Sequence, residues 1–529
     1  MKVHPYLIIV DVDKIQEFIF ESSRLKHIVG ASVLIAYLTS RDFCFERKIL
    51  EQGNEASDVG QLEDAGWMEI YFGGGNMKLL FAKKEEAERF LRSYQLQFAK
   101  TVESASFTSI IYKIDTGSAE KFEMGLEDAD IELKKVKQGK EKIIYNYANP
   151  VFEICHFCEK RNAQMDLTLF NIDTDKPEMA CRDCCKKDES QDKKNLETIL
   201  KETLLARFMN RYYKEGKKFM NEFDDLKGDE GALLGIVTID GNRFGEMIKN
   251  AVNDQISKSP TADEVNQYIH LLNRLSADIN KKILAAMYQT LDDFKDKLTG
   301  RNKNILFRPI IIGGDDICFV MDGRRVIPFT EKLINALEEE DFWGYRLKFA
   351  AGVSIAKPNY PFFIAHQLSE SLMKNVKKGN REFSGLDFEV IYTSSVENLE
   401  QMRKNKYEYK MDGKTYITTM RPYYFGDVDE KYKNFNTTLS IALGVENRGL
   451  LARNKIKQMR TLVRKGQVES EYEFRRMTGR MSREERNGIW KRLGMIYPTR
   501  EKIWVDINGR LHNNFIDLSE LNEFYPHKK

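Results

Sequence analysis

Two segments of the chain present the same order of signals, and that repetition constrains the fold more than any other feature. In the first, the apolar strand Tyr6-Leu-Ile-Ile-Val10 runs into Asp11, and helical spacing follows through Ile15, Phe18, Ile19, Leu25 and Ile28. A strand-turn-strand from Met68 to Phe81 comes next, with Gly73-Gly-Gly-Asn76 at its tip. An amphipathic helix (Glu85 to Lys100) and a strand near Phe107 to Ile114 complete the copy. In the second, strand Leu234 to Ile239 ends at Asp240, a helix opens near Arg243, and a long helical stretch runs from Ala262 to Lys297. The strand-turn-strand Leu306 to Val320 then carries Gly313-Gly-Asp-Asp316 at its tip. A helix (Ile327 to Glu340), a strand (Leu347 to Ile355) and a further helix (Phe363 to Lys377) follow. Both copies read β-α-β-β-α-β, the ferredoxin-like order. Matching Asp and Gly-Gly landmarks in both argue for a duplicated domain.

The expected fold class is therefore α+β: two ferredoxin-like domains, a zinc-ribbon insertion and an α-helical C-terminal domain. The boundaries fall at 1–150 for the first copy, 151–190 for a cysteine-bearing element and 191–232 for a helical connector. The second copy takes 233–400, and 401–529 holds a hairpin around Asp412-Gly413 followed by a basic helical tail. The 529 residues are 42% hydrophobic, enough for several cores. Lys+Arg 83 against Asp+Glu 81 leaves a net charge of +2, which excludes a global electrostatic grip on nucleic acid. No apolar run approaches the roughly 18 residues of a membrane span. Asp11, Asp13 and Lys14 interrupt the N-terminal apolar stretch, so no signal peptide is expected there. Seven Cys are too few for a secreted disulfide scaffold, and a soluble, cytoplasmic chain is expected.

The acidic hairpin carries the chemistry. Gly313-Gly314 turns with positive φ and lets a ligand approach the backbone with no Cβ in the way. The turn sets Asp315 and Asp316 at the sheet edge, and the strand ending at Asp240 lies beside it. Clustered carboxylates repel one another unless a cation sits among them. Hard oxygen ligands suit Mg2+ or Mn2+ bridging to phosphates. Asp240, Asp315 and Asp316 are thus the candidate catalytic and metal-binding residues for nucleotidyl transfer. One ion would polarise an attacking 3′-hydroxyl, and a second would hold the triphosphate and leaving pyrophosphate. Gly241-Asn242-Arg243-Phe244-Gly245 enters a helix whose first N–H groups can cradle the triphosphate. Lys377 or Lys378 follows in order to balance the phosphate charge. A lone Gly-Gly-Asp-Asp is more often an ordinary turn, but two apolar strands and Asp240 frame this one. The first copy lacks the acidic pair, and Asp11 and Asp13 alone are too few ligands, so that domain is expected to be structural.

Cys155-x-x-Cys158 and Cys181-x-x-Cys184 have zinc-ribbon spacing. Four thiolates make a closed tetrahedral Zn2+ site, structural and with no open position for water. Cys185 is an adjacent alternative to Cys184, and His156 a weaker substitute. Cys44 and Cys318 lie in apolar contexts and read as core. None of the seven His adjoins an Asp, so no His-Asp phosphohydrolase centre is expected; no Walker loop or Gly-x-Ser-x-Gly elbow is present. The basic tail from Leu450 to Arg492 reads equally as a solvated face or as a protein- or RNA-docking surface.

Together these residues resemble the large polymerase/cyclase subunit of type III CRISPR effector complexes. The resemblance rests on Asp13-Lys-Ile-Gln-Glu-Phe-Ile-Phe20 with Gly30-Ala-Ser32, and on Tyr71-Phe-Gly-Gly-Gly-Asn76. It extends to Asp240-Gly-Asn-Arg-Phe-Gly245, Gly313-Gly-Asp-Asp316, Ala351-Gly-Val-Ser354 and the region His366 to Lys378. It implies two palm domains, the second joining ATP through 3′–5′ bonds into a cyclic oligoadenylate messenger in antiviral defence. By motif, Asp240, Asp315 and Asp316 would carry Mg2+ or Mn2+, Gly313 and Gly314 would approach the nucleotide, and Lys377 resembles the family's phosphate-binding lysine. Implied partners are ATP, other effector subunits and guide or target RNA, or a second copy if the chain acts alone. Many members begin with a His-Asp nuclease domain; this chain opens on the first palm, so DNA cleavage is not expected of it. Two other readings stand beside this one. A scaffold subunit would bind nucleotide or RNA without turnover, and a diguanylate cyclase would use GTP, usually from a lone domain. The inactive first palm is further expected to supply a second face to the site.

Overall fold

The structure, a computed structural model, describes residues 4–50, 66–140, 151–166, 178–198, 200–226, 233–259, 261, 263–299, 304–392, 398–430, 433–443, 453–497, 499 and 501–525. The first copy is built from β1 (Tyr6–Asp13), α1 (Ile15–Ile19), α2 (Leu25–Leu38), α3 (Arg41–Glu46), β2 (Trp67–Gly73), β3 (Asn76–Phe81), α4 (Lys84–Thr101) and β4 (Ser106–Lys113). Its sheet has the order β2-β3-β1-β4 with every neighbour antiparallel. Leu7 to Val10 are all buried, which is why this strand reads as a continuous apolar run and not as an alternation. α5 (Ala119–Gly139) follows and packs against β4 and β1 of the same domain.

Next come the short ribbon β5 (Met165–Asp166) and β6 (Met179–Ala180), then α6 (Arg182–Ser190), α7 (Lys193–Glu197), α8 (Leu204–Lys214) and β7 (Lys218–Phe219). The cysteine element docks on the first sheet's helix α2. Contact is so close that a Cβ at Gly30 would stand 1.7 Å from the Lys187 carbonyl oxygen. Lys187 is fully buried, its Nζ donating to the Phe18 carbonyl at 2.7 Å and pairing with Glu21 at 3.0 Å.

The second copy comprises β8 (Leu234–Asn242), α9 (Phe244–Lys258), α10 (Glu264–Leu298), β9 (Asn304–Ile305), β10 (Phe307–Gly313), β11 (Asp316–Asp322), α11 (Val326–Glu339), β12 (Lys348–Ala356), α12 (Phe362–Gly379) and β13 (Gly385–Val390). Its sheet begins β10-β11-β8-β12, the same relative order as the first, and β13 then adds in parallel to β12. Registers make the copies superimposable by landmark. Gly73 faces Asn76 as Gly313 faces Asp316, and Asp11 faces Asn76 on the neighbouring strand. Lys14 and Arg243, just before α1 and α9, both sit in the left-handed region at φ 50° and 53°.

The C-terminal stretch holds α13 (Leu399–Tyr407), β14 (Glu408–Met411), β15 (Lys414–Ile417), β16 (Tyr423–Tyr424), α14 (Phe435–Leu443), α15 (Arg453–Leu462), α16 (Gly466–Gly479), α17 (Arg483–Leu493), β17 (Val505–Ile507), β18 (Arg510–His512) and α18 (Phe515–Phe524). The hairpin at Asp412-Gly413 forms, with φ 50° and 72° at its two turn residues. It belongs to a four-stranded sheet, β14-β15-β18-β17. The helical tail expected after that hairpin therefore also holds two strands, which at three residues each are too short to show a period. β16 pairs with β13, so this stretch also completes the second sheet. One continuous apolar core runs through both copies and into the C-terminal helices. No described helix is long and apolar enough to cross a membrane.

Candidate active site

β8 delivers Asp240 to the edge where the β10–β11 hairpin turns. At the tip Gly314 has φ 58°, and a Cβ at Gly313 or Gly314 would meet nothing within 4 Å, so the backbone there is open to a ligand. Gly241 has the opposite role: a Cβ there would come 3.0 Å from that of Asp315, so a side chain would crowd the acidic cluster. Desolvation in the cleft and then the charges of Asp316 and Asp240 push the Asp315 carboxyl up to about 8. Asp316 stands exposed at the rim. Crowding by protein atoms and the Asp240 charge lift it to about 6, against the pull of Lys377. Lys377, on α12, lies 2.5 Å from Asp240 Oδ2 and donates to the Gly241 carbonyl at 2.9 Å.

The loop after Asp240 divides its tasks. Asn242 is buried and donates to the Arg381 and Phe383 carbonyls at 3.2 and 3.3 Å, so its amide fastens the fold. Arg243 is exposed and pairs with Glu382 at 2.7 Å. Phe244 opens α9, no side chain caps that helix, and Gly245 has open space beside it. The first N–H groups of α9 thus keep their hydrogen-bonding capacity for an anion.

Facing the acidic hairpin is the hairpin of the first copy. Together they bound a cavity of about 570 Å³, lined from one side by Tyr71 and Gly73 to Gly75 and from the other by Gly313, Gly314 and Asp316. Burial and the charges of Asp315 and Asp316 raise the Tyr71 hydroxyl, so the first copy's ring lies in the field of the second copy's carboxylates. Gln16 hydrogen-bonds Glu370 across the same seam, and Phe20 packs on His366 at 3.9 Å between centroids. Gln16, Tyr71 and Glu370 lie in segments that carry the resemblance, but the sequence nominates none of them for the site, because their contacts cross a seam that no local pattern reports.

The first copy lacks the acidic cluster of the second. Gly75 stands where Asp315 does, and a Cβ there would lie 2.3 Å from Ile15 Cδ1. Asn76 replaces Asp316. Asp11 is paired with Lys137 at 2.7 Å and Asp13 with Lys140 at 2.7 Å. Burial works against the Asp13 charge, but hydrogen bonds from Lys140, Thr108 and Ser106 hold its carboxyl below the usual range.

Donor chemistry separates the two expected metal centres. The sulfurs of Cys155, Cys158, Cys181 and Cys184 all lie within 4.8 Å of one another. Such a buried set of four thiols fits a metal ion such as Zn2+. The Sγ atoms of Cys158 and Cys181 lie 3.8 Å apart. Arg161 donates to Cys181 Sγ at 3.4 Å and grips Glu21 with 2.8 and 2.7 Å bonds, tying the cluster to the first domain. Cys185 stays outside the group, and burial pushes its thiol up to about 12. His156 instead contacts Glu153 at 3.0 Å. Cys44 and Cys318 are buried, and desolvation raises both thiols. Among the described residues Asp240, Asp315 and Asp316 do not close into a comparably tight group. Their mutual repulsion is nonetheless the electrostatic signature of a place that gains from a bound cation.

Comparison with known proteins adds to this geometry. No curated protein sequence matches the chain. Among solved structures, a chain of an apo Csm1–Csm4 cassette aligns over 90% of this chain and 64% of its own length, at 12% identity and TM-score 0.48. A Csm1–Csm4 cassette in complex with cA4 aligns over 72% and 53%, at 12% identity and TM-score 0.43. Csm1 of T. onnurineus aligns over 73% and 53%, at 13% identity and TM-score 0.42. This chain thus spans less than two thirds of each of those chains. Residues 233–383, which hold β8 through α12, match the model of the Cas10/Cmr2 second palm domain. The chain thus carries, over that stretch, a domain similar to the second palm of Cas10/Cmr2.

Proposed function

We propose that this protein is a divalent-metal-dependent nucleotidyltransferase that joins ATP into a cyclic oligoadenylate messenger for antiviral defence. The observation that carries the reading is the acidic hairpin: two carboxyls raised to about 8 and 6 beside Asp240, on a turn whose Gly313, Gly314 and Asp316 line a cavity shared with a second hairpin. Both β-α-β-β-α-β domains are read as ferredoxin-like palms, the four-Cys element as a zinc ribbon, and the domain limits as those expected from the sequence. Asp240, Asp315 and Asp316 would hold Mg2+ or Mn2+, which when bound would activate a 3′-hydroxyl and neutralise the triphosphate. Gly313 and Gly314 admit the nucleotide close to the backbone, and the uncapped start of α9 offers N–H groups to phosphate. Lys377 keeps Asp240 in place and adds positive charge beside the phosphate position. The first palm supplies the opposite wall, so a growing product is held between two hairpins. Proposed partners are ATP, the other subunits of an RNA-guided effector and its RNA.

The test is a product assay with each labelled nucleoside triphosphate, Mg2+ or Mn2+, and Asp315→Ala/Asp316→Ala as control, with and without added RNA. An oligoadenylate resolved by mass and absent from the control is the expected result. Products from GTP alone would overturn the substrate. The Lys377 contact with Asp240 favours one alternative: a scaffold that binds nucleotide without turnover, for which tight ATP binding and silence in every condition is the expected outcome.

A further inference from the structure

Arg207 stands in the wall between two hollows. On one side is the cavity between the hairpins; on the other is an open groove of about 880 Å³ between α8 and α10. Asn280 lines the first and Lys281 the second, so α10 also borders both. Along α8, Arg207, Arg211 and Lys214 follow i, i+4, i+7 spacing and share one face. Lys281 and Tyr288 share a stripe on α10 by the same spacing, and Lys201 closes one end.

The charges of this groove are unbalanced. Arg211 is neutralised by Asp292 at 2.6 Å, and Glu197, the groove's acid, is paired with Lys193 at 3.6 Å. Among the described residues Lys201, Arg207, Lys214 and Lys281 form no ion pair, and all four are exposed. Four like charges converging on one concavity raise the local potential and attract an anion. The floor decides which kind. The Tyr288 ring stacks on Phe208 at 5.1 Å and 7°, carries the Arg211 guanidinium at 4.4 Å, and donates its hydroxyl to the Arg207 carbonyl at 3.0 Å. The one aromatic ring of the groove is therefore engaged within the protein, which disfavours base stacking and leaves phosphate as the recognised group.

We propose that this groove holds the 5′-triphosphate end of a linear oligonucleotide whose other end lies between the hairpins, with Arg207 at the passage. The identity of the anion rests on the nucleotidyl-transfer reading; the groove's affinity for polyphosphate does not. Calorimetry on the full chain carrying Asp315→Asn/Asp316→Asn, which prevents turnover, tests it with inorganic tripolyphosphate and a 5′-triphosphorylated linear dinucleotide. Both are expected to bind about tenfold more weakly, and with a smaller salt dependence, once Lys214→Gln/Lys281→Gln is added. Arg207→Ala should weaken the dinucleotide more than tripolyphosphate. Thermal melts of the exposed-lysine variants should match their parent and so exclude misfolding as the cause. Equal affinity with and without the two lysines overturns the assignment. Preferential, lysine-dependent binding of a single-stranded RNA bearing a 5′-hydroxyl overturns it in favour of RNA docking. Lysine-dependent tripolyphosphate binding in a wild type that makes no product under any condition would support the groove and remove the nucleotidyl-transfer reading alone.

Discussion

Gly75 and Asp315 occupy the same place in two hairpins of like register, and the difference between them puts the acidic pair in one copy and not in the other. At Gly75 the room for a side chain is taken by Ile15; at Asp315 the carboxyl is pressed against Asp240 and Asp316. A carboxyl raised in the folded state favours folding fully below its unfolded value near 4, and loses that contribution as pH rises through its folded value. For Asp315 and Asp316 the window is therefore from about pH 4 to 8, closing first for Asp316 near 6 and then for Asp315 near 8. Without divalent metal, Asp315→Asn is expected to melt above the wild type at pH 8, with the gap shrinking toward pH 4. Mn2+ should raise the wild-type melting temperature and leave Asp315→Asn/Asp316→Asn nearly unmoved. A gap that does not change with pH, measured by scanning calorimetry, would contradict the shared-charge account.

Among the elements, the cysteine cluster and α2 form the tightest junction outside the sheets. Gly30→Ala should destabilise the protein by about 2–3 kcal/mol, since its new methyl meets backbone and not a movable side chain. Cys155→Ser/Cys181→Ser should release zinc and cost on the order of 3 kcal/mol or more, read by melting and metal analysis. Full stability and no zinc in the purified wild type would refute a structural metal. The same elements show what the sequence made legible. β1 and β8 announce themselves because both faces are covered, and α10 because its 35 residues keep the helical period over nearly ten turns. The Gly-Gly turns are visible because few residues tolerate positive φ. Docking of α6 on α2 was not visible: nothing local in Gly30 or Lys187 names the other. β18, at three residues, forms beside β15, and the equally short β17 pairs in turn with β18.

At the scale of the whole molecule, two domains with the same relative strand order meet across a seam. Asp240, Asp315, Asp316 and Lys377 could be nominated from order along the chain, and the structure gathers them at one edge. Tyr71, Glu370 and Arg207 could not, because each becomes relevant only when distant segments pack together. If the first palm is a working wall, Tyr71→Ala should reduce turnover on the order of tenfold to a hundredfold while leaving the acidic hairpin untouched. Unchanged product formation would reduce that palm to a support. The most direct measurement of the central claim is pyrophosphate release from ATP with Mn2+, compared between the wild type and Asp315→Asn/Asp316→Asn, with RNA and partner subunits supplied. Release by the wild type and its loss in a variant that still folds is the expected result. Equal release by both proteins, or none from either while ATP binding persists, would contradict it.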